Sequence, residues 1–316
     1  MRRFYYDVTA ASKKDQQPSS RPLATYTEND EVPLPESVVH HWCRVLRAAI
    51  GDKAVLFDGH GGEYVVELTE VSKKHASVQL LDFAPVERTP TILTTIGLVM
   101  SRGDRMDYAI QKATELGVTD IQLLTSQHGE VNLKADQVAK KLLHWQQVAI
   151  SACEQCGLNR PPIILAPQSV ADWLTIGLEQ TTQGIHSEQV NAMMVPLLSQ
   201  PFYRQLTAPS SLRLLLAVPR ETAALSVTER IAQVCQSARA SITHLENPSV
   251  DSPAPIHMHL LIGPEGGLSA SEEQLALDND FIAWQIGARI LRTETAPVVA
   301  LATLHALTTT DLAGSQ

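Results

Sequence analysis

Phe4–Val8, Ala54–Phe57, Glu63–Leu68 and Ala76–Leu81 read as short strands, with the alternation of apolar and polar positions clearest along Ala76–Leu80. A period of two predicts short strands that turn one face to a core. Asp58-Gly59 and Gly61-Gly62 supply turns, and the segment from Ser37 to Ala49 has the spacing of a helix. Residues 1 to about 85 therefore predict a small β-barrel with one helix, interrupted at Asp15–Pro22 by a flexible Ser- and Pro-bearing insertion. After a linker at Pro85–Pro90 the pattern changes. Apolar runs at Ile92–Val99, Ile121–Leu124, Ile163–Ala166, Leu212–Val218 and His259–Ile262 alternate with helical segments, as in an α/β domain. Met106, Ala109, Ile110, Ala113 and Leu116 form one face of a helix capped by Asp104 and closed by Gly117. Val138, Leu142, Trp145, Ala149 and Ala152 stripe a longer helix, from about Asp136 to Gln155, that Gly157 and Pro161-Pro162 stop. Thr181–Ser211 is polar and Gln-rich and predicts a surface insertion.

Two strand–loop–helix segments near the carboxyl end carry the candidate chemistry. In the first, Leu260-Leu261-Ile262 runs into Gly263-Pro264-Glu265-Gly266-Gly267 and then Leu268-Ser269, where Ser269 and Glu272 have the spacing of a capping box. Glycines beyond the carboxyl end of a buried strand let backbone approach a ligand closely. A tight strand-to-helix connection needs the same residues, so both readings stand on this motif alone. In the second, a strand at Phe281–Ile286 leads into Gly287-Ala288-Arg289-Ile290-Leu291-Arg292-Thr293-Glu294, and Thr295 with Pro297 opens a last helix running towards Asp311. Charges among apolar residues are costly to bury unless they pair or meet a ligand. Arg292 and Glu294 either pair with each other or face a substrate.

The GPEGG run followed by IGARILRTETA resembles the carboxyl-terminal signature of the RsmE family, methyltransferases of the SPOUT class. The likeness extends to Met1-Arg2-Arg3-Phe4-Tyr5, His41-Trp42-Cys43-Arg44-Val45-Leu46-Arg47, Leu56-Phe57-Asp58-Gly59, Ser101-Arg102-Gly103-Asp104-Arg105-Met106-Asp107, Gln111–Val118 and Cys153-Glu154-Gln155-Cys156-Gly157. The resemblance implies a PUA-like RNA-binding β-barrel over residues 1–85. It also implies a SPOUT methyltransferase domain over 90–316 with a deep trefoil knot and an insertion at about 181–211. The implied activity is S-adenosyl-L-methionine-dependent methylation of uracil N3 in 16S rRNA, within the assembled small ribosomal subunit. Leu261, Ile262, Gly263, Pro264, Glu265, Gly266, Gly267, Ile286, Gly287, Ile290, Leu291, Thr293, Thr295 and Ala296 are the implied cofactor residues. Arg292 would stabilise charge developing on uracil, Glu294 would orient it, and Arg105 is the further catalytic candidate. Arg2, Arg3, His41, Arg44, Arg47 and Arg102 are the candidate RNA contacts. SPOUT pockets are typically completed near a subunit interface, so the helix from about Pro297 to Thr310, with Val298, Leu301, Ala302, Leu304 and His305, is expected to join two copies in a homodimer.

Composition bounds this picture. The 316 residues, 44% of them hydrophobic, allow two domains, or one large one, each with a real core. Met1-Arg2-Arg3 leads into aromatic and polar residues and no apolar run reaches transmembrane length, so cytoplasmic residence without a membrane is expected. A net charge of −9 opposes a generic nucleic-acid binder, and local arginines must then carry any RNA contact. Cys153 and Cys156 have C-x-x-C spacing inside a helical pattern, without a second pair, and predict packed thiols and no metal.

One departure from the family pattern stands out. Ser126-Gln127-His128-Gly129 occupies the place of a Ser-Glu-Arg run, and a histidine does not reproduce an arginine's planar, always charged fork. If that arginine serves RNA binding or catalysis, either His128 weakens the implied function or the role has moved to Arg102 or Arg105. A SPOUT enzyme acting on another RNA position and a non-catalytic ribosome assembly factor are the alternative functions.

Overall fold

The computed structural model describes residues 1–9, 22–72, 75–90, 92–177, 185–205, 212–217, 227, 229–234 and 256–309. These form two compact units. One comprises Met1–Thr89, Ile150–Pro161 and Ala192–Gln200, and the other Pro90–Ala149, Pro162–Asn191 and Pro201–Gln316. The expected contiguous division at the Pro85–Pro90 linker is thus interrupted twice by later segments.

The first unit holds a five-stranded sheet of β1 (Arg2–Tyr5), β2 (Glu31–Pro33), β3 (Lys53–Phe57), β4 (Glu63–Val71) and β5 (Ala76–Ala84), in the order β1-β3-β4-β5-β2. β1 runs parallel to β3 and the other pairs are antiparallel. Alternation sets which side chains are inside: Tyr64, Val66 and Leu68 of β4 join Phe4, Tyr6, Leu56, Val78 and Leu80 in one core. Helical residues Glu36–Val45 cover it with Val38, Val39 and Trp42, whose ring lies 5.4 Å from that of Phe4. β2 has no periodic signal of its own. It exists because Val32 pairs with Val78 at the sheet edge.

The later segments join this unit for identifiable reasons. Ile150, Cys153 and Leu158 pack with Tyr5 and Phe57. The guanidinium of Arg3 bonds Glu63, the Gly157 carbonyl and Asn159, and Arg88 meets Glu63 at 2.8 Å. Bonds from Arg88 and then Arg3 hold the Glu63 carboxyl down at about 2. Leu197 lies so close to Gly59 that a Cβ there would sit 2.6 Å from its Cδ1. The stretch expected to be a surface insertion therefore contributes core: Val190, Met194, Leu197 and Tyr203 are buried. Its residues 181–184 and 206–211, the insertion at Asp15–Arg21 and the strand end at Val218 lie outside the described residues.

The second unit is built on β6 (Ile92–Val99), β7 (Asp120–Thr125), β8 (Ile163–Ser169), β9 (Leu212–Leu216), β10 (Ile256–Ile262) and β11 (Phe281–Trp284). Their order is β11-β9-β10-β6-β7-β8 and every pair is parallel. One face carries Ile96, Leu98, Ile121, Leu123, Leu214, Met258, Leu260 and Ile262. They pack under α1 (Asp104–Glu115), the body of α2 (Ala135–Cys156) and α4 (Ala296–Thr309), through Met106, Ile110, Trp145, Ala300, Leu301 and Leu304. The other face holds Val99, Leu124, Leu215 and Leu261 against Val170, Trp173 and Phe281. Trp173 lies on β6 at Gly97, where a Cβ would be 2.5 Å from the indole. On that same face the Thr95 hydroxyl bridges Asp120 Oδ1 at 2.7 Å and His257 Nε2 at 2.8 Å. Burial pushes Asp120 up to about 7 against the weaker pull of the Thr95 bond, and burial pushes the neighbouring His259 well down. Asp104 proves to be the first residue of α1, since Gly103, at φ +58°, takes the cap position.

Candidate functional site

Between β6 and β10 the order of strand addition reverses: β7 and β8 lie beyond β6, while β9 and β11 lie beyond β10. Such a point leaves a crevice at the carboxyl ends of the strands. The first glycine-rich loop leaves β10 there. Gly267 N–H donates to the Pro264 carbonyl at 2.9 Å, closing a turn with Glu265 and Gly266 at its tip. Gly267 has φ +74°, which glycine adopts without strain. The turn feeds directly into α3 (Ala270–Asp278). Its capping box is complete, with Ser269 Oγ accepting from Glu272 N–H at 3.2 Å and Glu272 Oε2 accepting from Ser269 N–H at 2.9 Å.

The second loop leaves β11 at Trp284 and turns at Gly287, φ +74°. It comes back to the first: Thr293 Oγ1 donates to the Gly263 carbonyl at 3.3 Å. The helix that follows starts at Ala296, whose N–H bonds the Arg292 carbonyl at 3.0 Å. Between the loops lies a cleft that is open to solvent.

Of the residues expected at the cofactor, Ile262, Gly263, Pro264, Gly267, Ile286, Ile290, Leu291, Thr293 and Ala296 line this cleft. Leu261 does not, because it is fully buried in the core with Val99, Trp173 and Phe281. Glu265, Gly266, Gly287 and Thr295 also lie outside the lining. Leu215, Leu216 and Ala217 at the end of β9, with Leu268, Glu273 and Arg289, line the cleft and were missed by the sequence reading. The available signal was the apolar run ending before Pro219, a strand end of the same kind as that of β10.

Arg292 is 75% exposed and Glu294 only 13%, with 4.0 Å between Nη1 and Oε1. Glu294 Oε2 is buried and, among the described residues, meets no hydrogen-bond partner. Arg105 Nη1 is 2.8 Å from Glu265 Oε1, so these two candidates from separate motifs hold each other. Arg102 meets Glu130 at 3.1 Å. The Gln127-His128 departure packs on the glycine-rich turn: His128 Nδ1 lies 3.2 Å from the Gly267 carbonyl, and Gln127 N–H donates to Glu272 Oε1 at 2.9 Å.

In the other unit Arg2, His41, Arg44 and Arg47 are exposed. Arg3 is the exception among the candidate RNA contacts. Its side chain is 13% exposed, and Glu63, Gly157 and Asn159 engage its guanidinium, which leaves it a structural cation. Cys153 is a packed thiol raised by burial, while Cys156 is exposed and Cys235 lies outside the described residues. Among the described residues, no group of three or more His, Cys, Asp or Glu side chains is placed to hold a metal ion, and no helix is long and apolar enough to cross a membrane.

The comparisons with known proteins agree with this geometry. A PUA domain family described for RNA methyltransferases matches residues 34–81. The Ribosomal RNA small subunit methyltransferase E of Buchnera aphidicola subsp. Schizaphis graminum is 27% identical, over 88% of this chain and 91% of that protein. The protein of the same name from Synechocystis is 28% identical, over 87% of this chain and 73% of that protein. The crystal structure of the Neisseria gonorrhoeae Ribosomal RNA small subunit methyltransferase E, bound to S-adenosyl methionine, superposes with a TM-score of 0.66 at 28% identity, covering 97% of this chain and 98% of that one. Residues 87–200 and 199–305 match the RNA methyltransferase domain family, which spans the switch point, both loops and the cleft, and the chain belongs to that family.

Proposed function

We propose that the cleft binds S-adenosyl-L-methionine and that the protein methylates N3 of a specific uridine in 16S rRNA of the small ribosomal subunit. The observation that carries this reading is the Thr293–Gly263 bond, which makes one wall from two loops thirty residues apart. The donor set suits the cofactor. Leu215, Leu216, Ile262, Ile286 and Leu291 offer an apolar slot for an adenine, and the glycine-rich turn offers backbone groups at its edge. When bound, the cofactor supplies an electrophilic methyl group on a sulfonium. Loss of the N3 proton to solvent or a base would spread negative charge over O2, N3 and O4, and that charge would be neutralised as N3 takes the methyl group and the sulfonium becomes a neutral thioether. Positioning supplies most of the acceleration in such a displacement. Arg292, largely exposed beside Leu291 and Thr293, is proposed to meet that charge, with Glu294 orienting its guanidinium. Arg105 is proposed to contact the RNA near the reacting base.

The finer architecture belongs to the same reading. After β11, at the sheet edge, the chain returns past Gly263 to α4, which packs on α1, and we read this return as the threading of a trefoil knot. The five-stranded sheet is proposed to be a PUA-like barrel that presents Arg2, His41, Arg44 and Arg47 to RNA. A cytoplasmic homodimer acting on the assembled subunit completes the proposal. Its test is nucleoside mass mapping of 16S rRNA from a deletion strain. One N3-methyluridine should vanish and be restored when isolated small subunits are incubated with the protein and S-adenosylmethionine. Restoration of no methyl group on any uridine would refute it.

A further inference from the structure

The segment that opens α1 presents two arginines and the last turn of α1 a lysine, and each of these cations is held by a carboxylate. Arg102 Nε lies 3.1 Å from Glu130 Oε2, with both side chains largely exposed. Arg105 Nη1 lies 2.8 Å from Glu265 Oε1, both about half exposed. Lys112 Nζ lies 2.7 Å from Glu115 Oε1 one turn away on the same helix. The first two carboxylates come from other loops. Glu130 follows β7, and Glu265 is at the tip of the turn after β10. β7 and β10 are the two neighbours of β6, whose carboxyl end carries both arginines, so three loops converge beside the cleft.

A carboxylate offers a guanidinium the same planar pair of oxygens that a phosphodiester does. A chain of net charge −9 adds a long-range field that opposes a polyanion. We propose that Glu130 and Glu265 mask a phosphate-binding face, so that Arg102 and Arg105 take RNA backbone phosphates only by exchanging these carboxylates. The proposal rests on the reading of RNA as substrate. Exposed ion pairs are easily broken, which makes exchange accessible. Each exchange nevertheless subtracts the broken pair from the affinity. An RNA that offers phosphates alone gains little, whereas the target adds base contacts in the site. Glu130 and Glu265 thus set specificity by lowering affinity for the wrong RNA.

The test measures anisotropy of a labelled single-stranded RNA of non-target sequence, without cofactor, against the full chain. The proteins are wild type, Glu130→Gln, Glu265→Gln and the double variant, with Glu28→Gln, an exposed carboxylate of the other unit, controlling for net charge. Each unmasking change should tighten binding about threefold at low salt and the pair about tenfold. The slope of log affinity against log salt should steepen by about 0.7 for each phosphate newly engaged. Adding Arg102→Ala and Arg105→Ala to the double variant should abolish the tightening. A double variant that binds no tighter than Glu28→Gln, or a tightening that survives loss of both arginines, overturns the proposal. Methylation of small subunits by the wild-type preparation separates the two readings. Its absence removes the proposed function, while methylation without tighter binding on unmasking removes only the mask.

Discussion

The Thr293 hydroxyl donates to the Gly263 carbonyl at 3.3 Å, tying the loop after β11 to the loop after β10. Thr293 itself is buried, which holds its hydroxyl in place at the wall of the cleft. Thr293→Val keeps the shape and removes the donor, which costs about 1 kcal/mol for a neutral hydrogen bond. S-adenosylhomocysteine affinity should fall by roughly fivefold, while Thr293→Ser retains most of it. Calorimetry checks this, and equal affinity of Val and wild-type proteins would show that the bond does not shape the cleft.

Arg292 is mostly exposed and lies 4.0 Å from Glu294. Loss of one preorganised donor at a developing charge costs on the order of a hundredfold in rate. Arg292→Ala should therefore slow methyl transfer by about that factor with cofactor affinity nearly unchanged. Arg292→Lys should rescue it poorly, because an ammonium lacks the planar fork. Loss of cofactor binding with the rate of bound enzyme preserved would contradict this role.

Asp120 carries a folded-state pKa of about 7 against an ordinary value of 3.8, because burial penalises its charge. A raised carboxyl favours the folded state below the ordinary pKa, and this contribution is lost as pH rises through the folded value. The melting temperature of wild type minus that of Asp120→Asn should thus fall steadily between about pH 4 and pH 8. A flat or rising difference would show that Asp120 is ionised in place.

Gly97 lies under Trp173, and a Cβ there would meet the indole at 2.5 Å. The ring is fully packed against Phe281 and His259 and has nowhere to go. Gly97→Ala should destabilise the protein by about 1–3 kcal/mol, the usual result of overpacking a core. Denaturant unfolding reads the loss directly, and an unchanged midpoint would mean that the strand yields.

Helix α4 buries Ala300, Leu301 and Leu304 in its own core and leaves Ala302 exposed. Of the stripe expected to face a partner, part is therefore already used within the chain. A homodimer through this helix should still sediment as two chains at micromolar concentration, and Ala302→Arg should dissociate it. A fully active monomer would remove the dimer from the proposal.

The sequence by itself determined what neighbours in the chain decide. Alternation placed Tyr64, Val66 and Leu68 inside, helical spacing buried Met106, Ile110 and Trp145, and the Ser269–Glu272 box formed as spaced. These outcomes depend on contacts within a few residues, so a local pattern suffices. The family motifs likewise marked both loops of the cleft, whose residues are contiguous.

Only the tertiary structure decided which distant groups meet. Leu215–Ala217 line the cleft because β9 pairs with both β10 and β11. β2 forms because β5 offers an open edge. Arg3 serves structure where a phosphate contact was expected, since Glu63 and Asn159 reach it across 60 and 156 residues of chain. Leu197, in the short apolar run Ala192–Leu198 of an otherwise polar stretch, became core because folding brings it against Gly59. Each of these choices is made by strand order and long-range packing, and a side chain's local sequence carries no record of the partner that folding brings to it.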